Sequence, residues 1–222
     1  MKKVVSIVSV ICLIMLGGHF MLNGDEESIN DSGTNSVRKS NKDVIQTDEI
    51  VTNISTETSW AYNVTDPLVV RNHSDYLLKI RVNSKETTKY FVQKTTMPSS
   101  TYNVEVLEVL INDNGTVPNN IKLAANGGIV SMQEYVNTMD EETKVKSNVN
   151  KLTKKELDEK VLIKDESYYE LKQGQEYYVF VRDLTNDDNY KGYYGMPEVG
   201  YDVFEEKDGQ YINVLTNAKL DI

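Results

Sequence analysis

Apolar and polar residues alternate from Tyr102 to Val106, the period-two signature of a half-buried strand. From Val106 to Ile111 apolar side chains occupy both faces, which predicts a strand running from a sheet edge into a closed interior. The turn-forming run Asn112 to Gly115 ends it. An earlier strand places Tyr76, Leu78, Ile80 and Val82 on one face and Leu77, Lys79 and Arg81 on the other. Ser84 to Lys89 then reads as a polar turn, and Tyr90-Phe91-Val92 as an extension of that strand or a partner of the next. A third strand, Ile121 to Ala125, is closed by Asn126-Gly127-Gly128. A fourth, Gln175 to Asp183, puts Tyr177, Val179 and Val181 on one face and Tyr178 and Phe180 on the other. Tyr201 to Glu205 and Gln210 to Leu215 form a hairpin through Asp208-Gly209, the kind of dipeptide that supplies the positive φ angles of a tight turn.

Helical signals are few. Asp66 followed by Pro67 predicts a short helix to about Asn72, with aspartate capping and proline in the first turn. Thr153 and Glu156 have capping-box spacing, with Leu157 and Val161 on one narrow apolar stripe behind them. Met132 to Asn150 is polar and reads as a mobile stretch, so residues 129–165 form an excursion containing one short helix. Three strands, an excursion, a fourth strand and a hairpin suit an all-β fold with one or two short helices: a small OB-like Greek-key barrel occupying residues 60–222.

Two segments precede that domain. Residues 1–22 carry Lys2 and Lys3, then an apolar run from Val4 that resumes at Phe20. This predicts a signal anchor with the domain outside the cytoplasm; a cleaved signal peptide is the alternative. Lipid attachment at Cys12 is disfavoured by the bulky Ile11 before it. Residues 23–59 are polar and too poor in apolar surface to offset ordering entropy, which predicts a disordered linker. Glu49 to Ile54 has the composition of a short strand within it.

Composition removes several chemistries. A net charge of -10 argues against a nucleic-acid partner. The only cysteine, Cys12, sits in the hydrophobic run, so the soluble part has no disulfide, cysteine nucleophile or cysteine-bound metal. Of two histidines, His19 is in that run and His73 stands alone beside the first strand. Asp187-Asp188 and Glu205-Glu206 are adjacent pairs, which on a strand point to opposite faces. Asp183, Asn186, Asp187 and Asp188 do not match a calcium-loop spacing. No catalytic residue, metal ligand or cofactor is assigned. The tyrosines are the one positive signal: Tyr190, Tyr193 and Tyr194 crowd a glycine-containing loop, where they either recognise a partner or fold back over the barrel end.

The motifs Ser74-Asp75-Tyr76, Tyr102 to Val109, Gly127-Gly128 and Gly174 to Phe180 resemble a loosely defined group of exported Gram-positive bacterial proteins. That group is similar in architecture to the netrin-like OB barrels of metalloprotease inhibitors. The resemblance spans residues 60 to 216. The chain departs from the group's pattern at Asn112-Asp-Asn114, where lysine and glycine are usual, and in its long excursion and missing lipid-attachment motif. The resemblance implies a fold and an extracytoplasmic location rather than a catalytic site. The expected function is therefore a membrane-tethered or secreted binding module, not an enzyme, acting on an extracytoplasmic protein or cell-envelope component. A protease-inhibitor-like role and, behind it, a cell-surface polymer hydrolase are the alternatives.

Overall fold

The structure, a computed structural model, describes residues 50–221 except 94 and 197. The predicted hydrophobic segment 1–22 and most of the predicted linker lie outside the described residues. Among those described, no helix is long and apolar enough to cross a membrane.

In chain order the elements are β1 (Ile50–Ser55), α1 (Pro67–Asn72), β2 (Tyr76–Lys89), β3 (Ser99–Asn112), β4 (Asn120–Asn126) and β5 (Gly128–Ser131). Helices α2 (Met132–Asn137), α3 (Glu141–Lys146) and α4 (Lys154–Asp158) follow. Then come β6 (Lys160–Lys164), β7 (Glu176–Asp183), β8 (Tyr194–Met196), β9 (Val203–Lys207), β10 (Gln210–Asn213) and β11 (Lys219–Leu220).

Five strands close a barrel in the order β7-β2-β3-β4-β8, with β8 returning to β7. The closing strand is only three residues long. It runs parallel to β4 and pairs antiparallel with the end of β7 through Arg182–Gly195 and Asp183–Tyr194. A side chain at Gly195 would collide with Leu184, so glycine there lets the closing strand approach.

The period-two faces explain what fills the barrel. Tyr76, Leu78, Ile80 and Val82 point inward with Tyr102, Val104, Leu123, Tyr177, Val179, Val181 and Met196. The opposite faces of β2 and β7 send Leu77, Tyr178 and Phe180 into a second apolar cluster, roofed by Val70 of α1 and by Phe204 and Leu220. Each such aliphatic or aromatic side chain contributes about 1.5–3 kcal/mol when fully buried. Asp66 caps α1 by accepting from the Leu68 amide, as its sequence predicts. β9 and β10 meet at a two-residue turn, Asp208 at φ 53° and Gly209 at φ 73°.

Several expectations are corrected. The predicted polar turn Ser84–Lys89 is strand: β2 continues through it against β3, with register shifts that absorb the irregular pattern. Tyr90 to Gln93 bends away from the sheet instead of extending it. The interior end of β3 is Thr101–Val104, not Val106–Ile111. Beyond Val106, register shifts re-aim the strand, Leu110 and Ile111 pack on the outer cluster, and Val109 is 38% exposed. The 129–165 excursion is ordered. Gly127 and Gly128, at φ 92° and 151°, turn the chain out of β4 into β5. β5 and β6 then join β1 in a three-stranded sheet ordered β1-β6-β5. Thr153 and Glu156 do form a capping box, but α4 stops at Asp158 and Val161 is buried on β6 rather than on a helical stripe. Ile50–Ser55 pairs parallel with β6, so the fold begins within the segment predicted as linker. The hairpin starts at Val203, because Val199–Asp202 is a 3-10 turn.

Candidate functional site

Two connections distant in sequence meet through their aromatic rings. The β2–β3 connection carries Phe91 and the β7–β8 connection carries Tyr190 and Tyr193. Phe91 stacks on Tyr190, with centroids 4.5 Å apart and an interplanar angle of 18°. Tyr193 meets Phe91 edge-on at 4.9 Å. Lys89, the last residue of β2, lies over both the Phe91 and Tyr193 rings at 4.3 and 4.5 Å, and donates to the Tyr193 hydroxyl at 3.0 Å. Among the described residues Lys89 has no carboxylate partner, and the rings take that place by cation–π attraction. Lys122 of β4 also approaches the Tyr193 ring, at 5.8 Å. All three rings are half-buried.

The three tyrosines of the predicted site therefore separate. Tyr190 and Tyr193 share the loop cluster. Tyr194 is 5% exposed, inside the barrel, edge-on to Tyr76 at 6.0 Å, so it serves closure and not an outer surface. Sequence reasoning missed Phe91 and Lys89 because the preceding polar run read as a turn and Phe91 as a strand residue.

Between the 90–93 segment and α2 lies a cleft of about 450 Å3. Tyr90, Val92 and Gln93 line one wall; Glu134, Asn137 and Thr138 line the other. The Tyr90 hydroxyl is sealed from solvent without a hydrogen-bond partner among the described residues. Burial, then the nearby Tyr135 and Glu134, push its phenol well above the ordinary range. Glu134 uses Oε2 in a capping box with Ser131, accepting from its amide and hydroxyl at 2.8 Å each, while Oε1 accepts nothing from the described residues.

A third polar group is fully enclosed. Glu198 precedes the 3-10 turn and Asp202 ends it, 3% and 0% exposed. Arg182 of β7 donates to Glu198 at 3.3 Å, to the Tyr62 hydroxyl at 3.0 Å and to the His73 carbonyl at 2.5 Å. Tyr62 also donates to Glu198, and its ring stacks on His73 at 3.7 Å. Burial, reinforced by Glu198, pushes the Tyr62 phenol up to about 12. Burial and the neighbouring Glu198 charge raise the Asp202 carboxyl well above its ordinary value. His73, solitary in sequence, is thus a packing residue in a clamp that ties residues 62–73, β7 and the 199–202 turn together. Nothing in the local sequence marks Glu198 or Asp202 as buried. Among the described residues no group of three or more His, Cys, Asp and Glu is placed to hold a metal ion.

Comparison of the chain with protein-family models, with curated proteins and with solved structures finds no match to any of them.

Proposed function

We propose that the chain is an extracytoplasmic binding module, tethered by its N-terminal hydrophobic segment or secreted after its removal, that recognises a cell-envelope component or extracytoplasmic protein. The observation that carries this reading is the Phe91–Tyr190–Tyr193 cluster with Lys89. Half-buried rings on loops supply contact area at low entropy cost, and a lysine held over them adds a donor. The loops involved join barrel strands one to two and four to five, where OB barrels carry ligands; that support is an analogy of fold. The enclosed acids favour a structural part for Glu198 and Asp202, since a hydrolytic pair needs a cleft that substrate can enter.

The test uses the full-length chain in mild detergent as bait against solubilised membranes and cell-surface extract, beside a Tyr190→Ala/Tyr193→Ala variant. Tyr194 is left intact because it fills the barrel. A retained component lost in the folded variant supports the reading. Identical retention by both baits, or none, overturns it.

A further inference from the structure

We propose that Asn114 is a site of spontaneous deamidation in the folded protein, and that the Asn112 side chain sets its rate. Among the described residues asparagine precedes glycine twice, at Asn114-Gly115 and at Asn126-Gly127. Glycine in second place has no Cβ to hinder its backbone nitrogen, so that nitrogen reaches the asparagine side chain more readily than it would before any other residue. The fold treats the two sites in opposite ways. Asn126 ends β4, and Ser99 donates to its Oδ1 at 3.3 Å. The Gly127 amide donates to the Pro98 carbonyl at 2.8 Å, and its carbonyl accepts from the Ser100 amide at 3.0 Å. A Cβ on Gly127 would lie 2.5 Å from the Tyr168 ring, so the backbone has no room to turn. Nitrogen and carboxamide are both held there, and attack is blocked.

Asn114 lies in the exposed loop between β3 and β4, and no described residue hydrogen-bonds its carboxamide. Gly115, at φ 110°, has open space where a side chain would stand. One restraint remains. Asn112 Oδ1 accepts from the Gly115 amide at 3.0 Å and from the Asn114 amide at 3.3 Å. The first of these bonds ties up the attacking nitrogen. Asn112 is itself exposed, so water competes for both bonds and releases that nitrogen intermittently.

The chemistry needs only water. The Gly115 amide gives its proton to hydroxide, and its nitrogen attacks Asn114 Cγ. The bond from Cγ to the side-chain nitrogen breaks, that nitrogen takes up a proton and leaves as ammonia, and a five-membered succinimide remains. Water then opens the ring at either carbonyl, giving aspartate or isoaspartate. Each event adds one negative charge beside Asp113, and the iso form lengthens the loop backbone by one carbon.

The experiment ages the full-length chain in mild detergent, in heavy-oxygen water at neutral and mildly alkaline pH, beside a sample unfolded in urea. Peptides are then read by mass spectrometry, with isoaspartate scored by fragmentation. Heavy oxygen should enter the Asn114 peptide, faster at the higher pH and with isoaspartate among the products, while the Asn126 peptide of the folded chain stays unlabelled. In urea both should be labelled. Asn112→Ala, with folding checked by circular dichroism, should speed labelling at Asn114 roughly two- to tenfold, the loss of one hydrogen bond on the attacking nitrogen. Asn112→Asp keeps the acceptor and should not speed it. In urea Asn112→Ala should match the wild type, which separates the folded contact from an effect of local sequence. An unlabelled Asn114 in the folded chain, equal labelling of Asn114 and Asn126 there, or an unchanged rate in folded Asn112→Ala overturns the proposal.

Discussion

Phe91 and Tyr190 stack face to face, joining the β2–β3 and β7–β8 connections across 99 positions of sequence. Neither connection has regular structure at these residues, so ring contact supplies what a ladder would otherwise supply. Aromatic pairs are worth about 0.5–1.5 kcal/mol beyond their buried area, and Phe91 makes two. Phe91→Ala should therefore lower unfolding free energy by about 1–3 kcal/mol and speed amide exchange across residues 185–193. Phe91→Leu, which keeps area and loses ring geometry, should fall between. If exchange in the β7–β8 loop is unchanged in Phe91→Ala, the stack does not order that loop.

The Arg182–Glu198 pair is asymmetric: the arginine side chain is 35% exposed and the carboxylate 4%. Removing the guanidinium strands a buried charge whose remaining side-chain partner is the Tyr62 hydroxyl. Arg182→Met should cost about 3–5 kcal/mol, whereas Arg182→Met/Glu198→Met should cost less than that single change, because it leaves no buried charge behind. Urea unfolding of both variants decides the point. A double variant less stable than Arg182→Met would mean that the pair contributes net stability.

Asp202 and the helix caps pull pH dependence in opposite directions. Backbone hydrogen bonds from Thr143 and Thr153 hold Asp140 and Glu156 below the ordinary carboxylate range, so their contribution is present at neutral pH and fades as pH falls. Asp202 is raised, by burial first and Glu198 second. Below the unfolded aspartate pKa of about 3.9 it is protonated in both states and has no effect. Above it, only the unfolded chain ionises, so stability declines as pH rises towards the native pKa. Asp202→Asn removes that decline. Its Tm should match the wild type near pH 4 and exceed it at pH 7–8, leaving the acid limb unchanged. An equal or lower Tm at pH 7–8 would show Asp202 ionised in the native state.

The difference between what was legible in the chain and what was not follows from range. Signals completed within a few residues hold: Asp66 before Pro67, Thr153 with Glu156, Asp208-Gly209, and the alternating faces of Tyr76–Val82 and Tyr177–Val181. Val106–Ile111 misleads because composition cannot say which apolar face meets the barrel and which meets the cluster outside it. β8 is too short to show a period, so Tyr194 read as a loop residue beside Tyr190 and Tyr193. For the site, two of three tyrosines come together, but their partners Phe91 and Lys89 arrive from a strand end that its polar composition disguised. Acids such as Glu198 and Asp202 look solvated in any local reading; only Arg182, sixteen residues before Glu198, reveals otherwise.

The longest-range relationship gives the most direct test of where the domain begins. β1 pairs with β6 more than a hundred positions away, burying Ile54 to 3% exposure. The pairing continues past the strand: the Thr56 amide donates to the Lys164 carbonyl at 2.9 Å and the Thr58 hydroxyl to Asp165 at 2.7 Å. A chain beginning at Trp60 loses all of this and leaves β6 as an open edge. Burial of Ile54 alone contributes about 1.5–3 kcal/mol, so the shortened chain should be less stable by about 2–4 kcal/mol once the ladder is included. Its new edge should also make it associate as concentration rises, since an unpaired strand is a template for another. A peptide spanning residues 49–59, added in trans, should bind the shortened chain, protect the β6 amides from exchange and suppress association. If urea midpoints of the chains starting at Ile50 and Trp60 coincide, β5 and β6 hold without β1, and the fold begins where composition alone would place it.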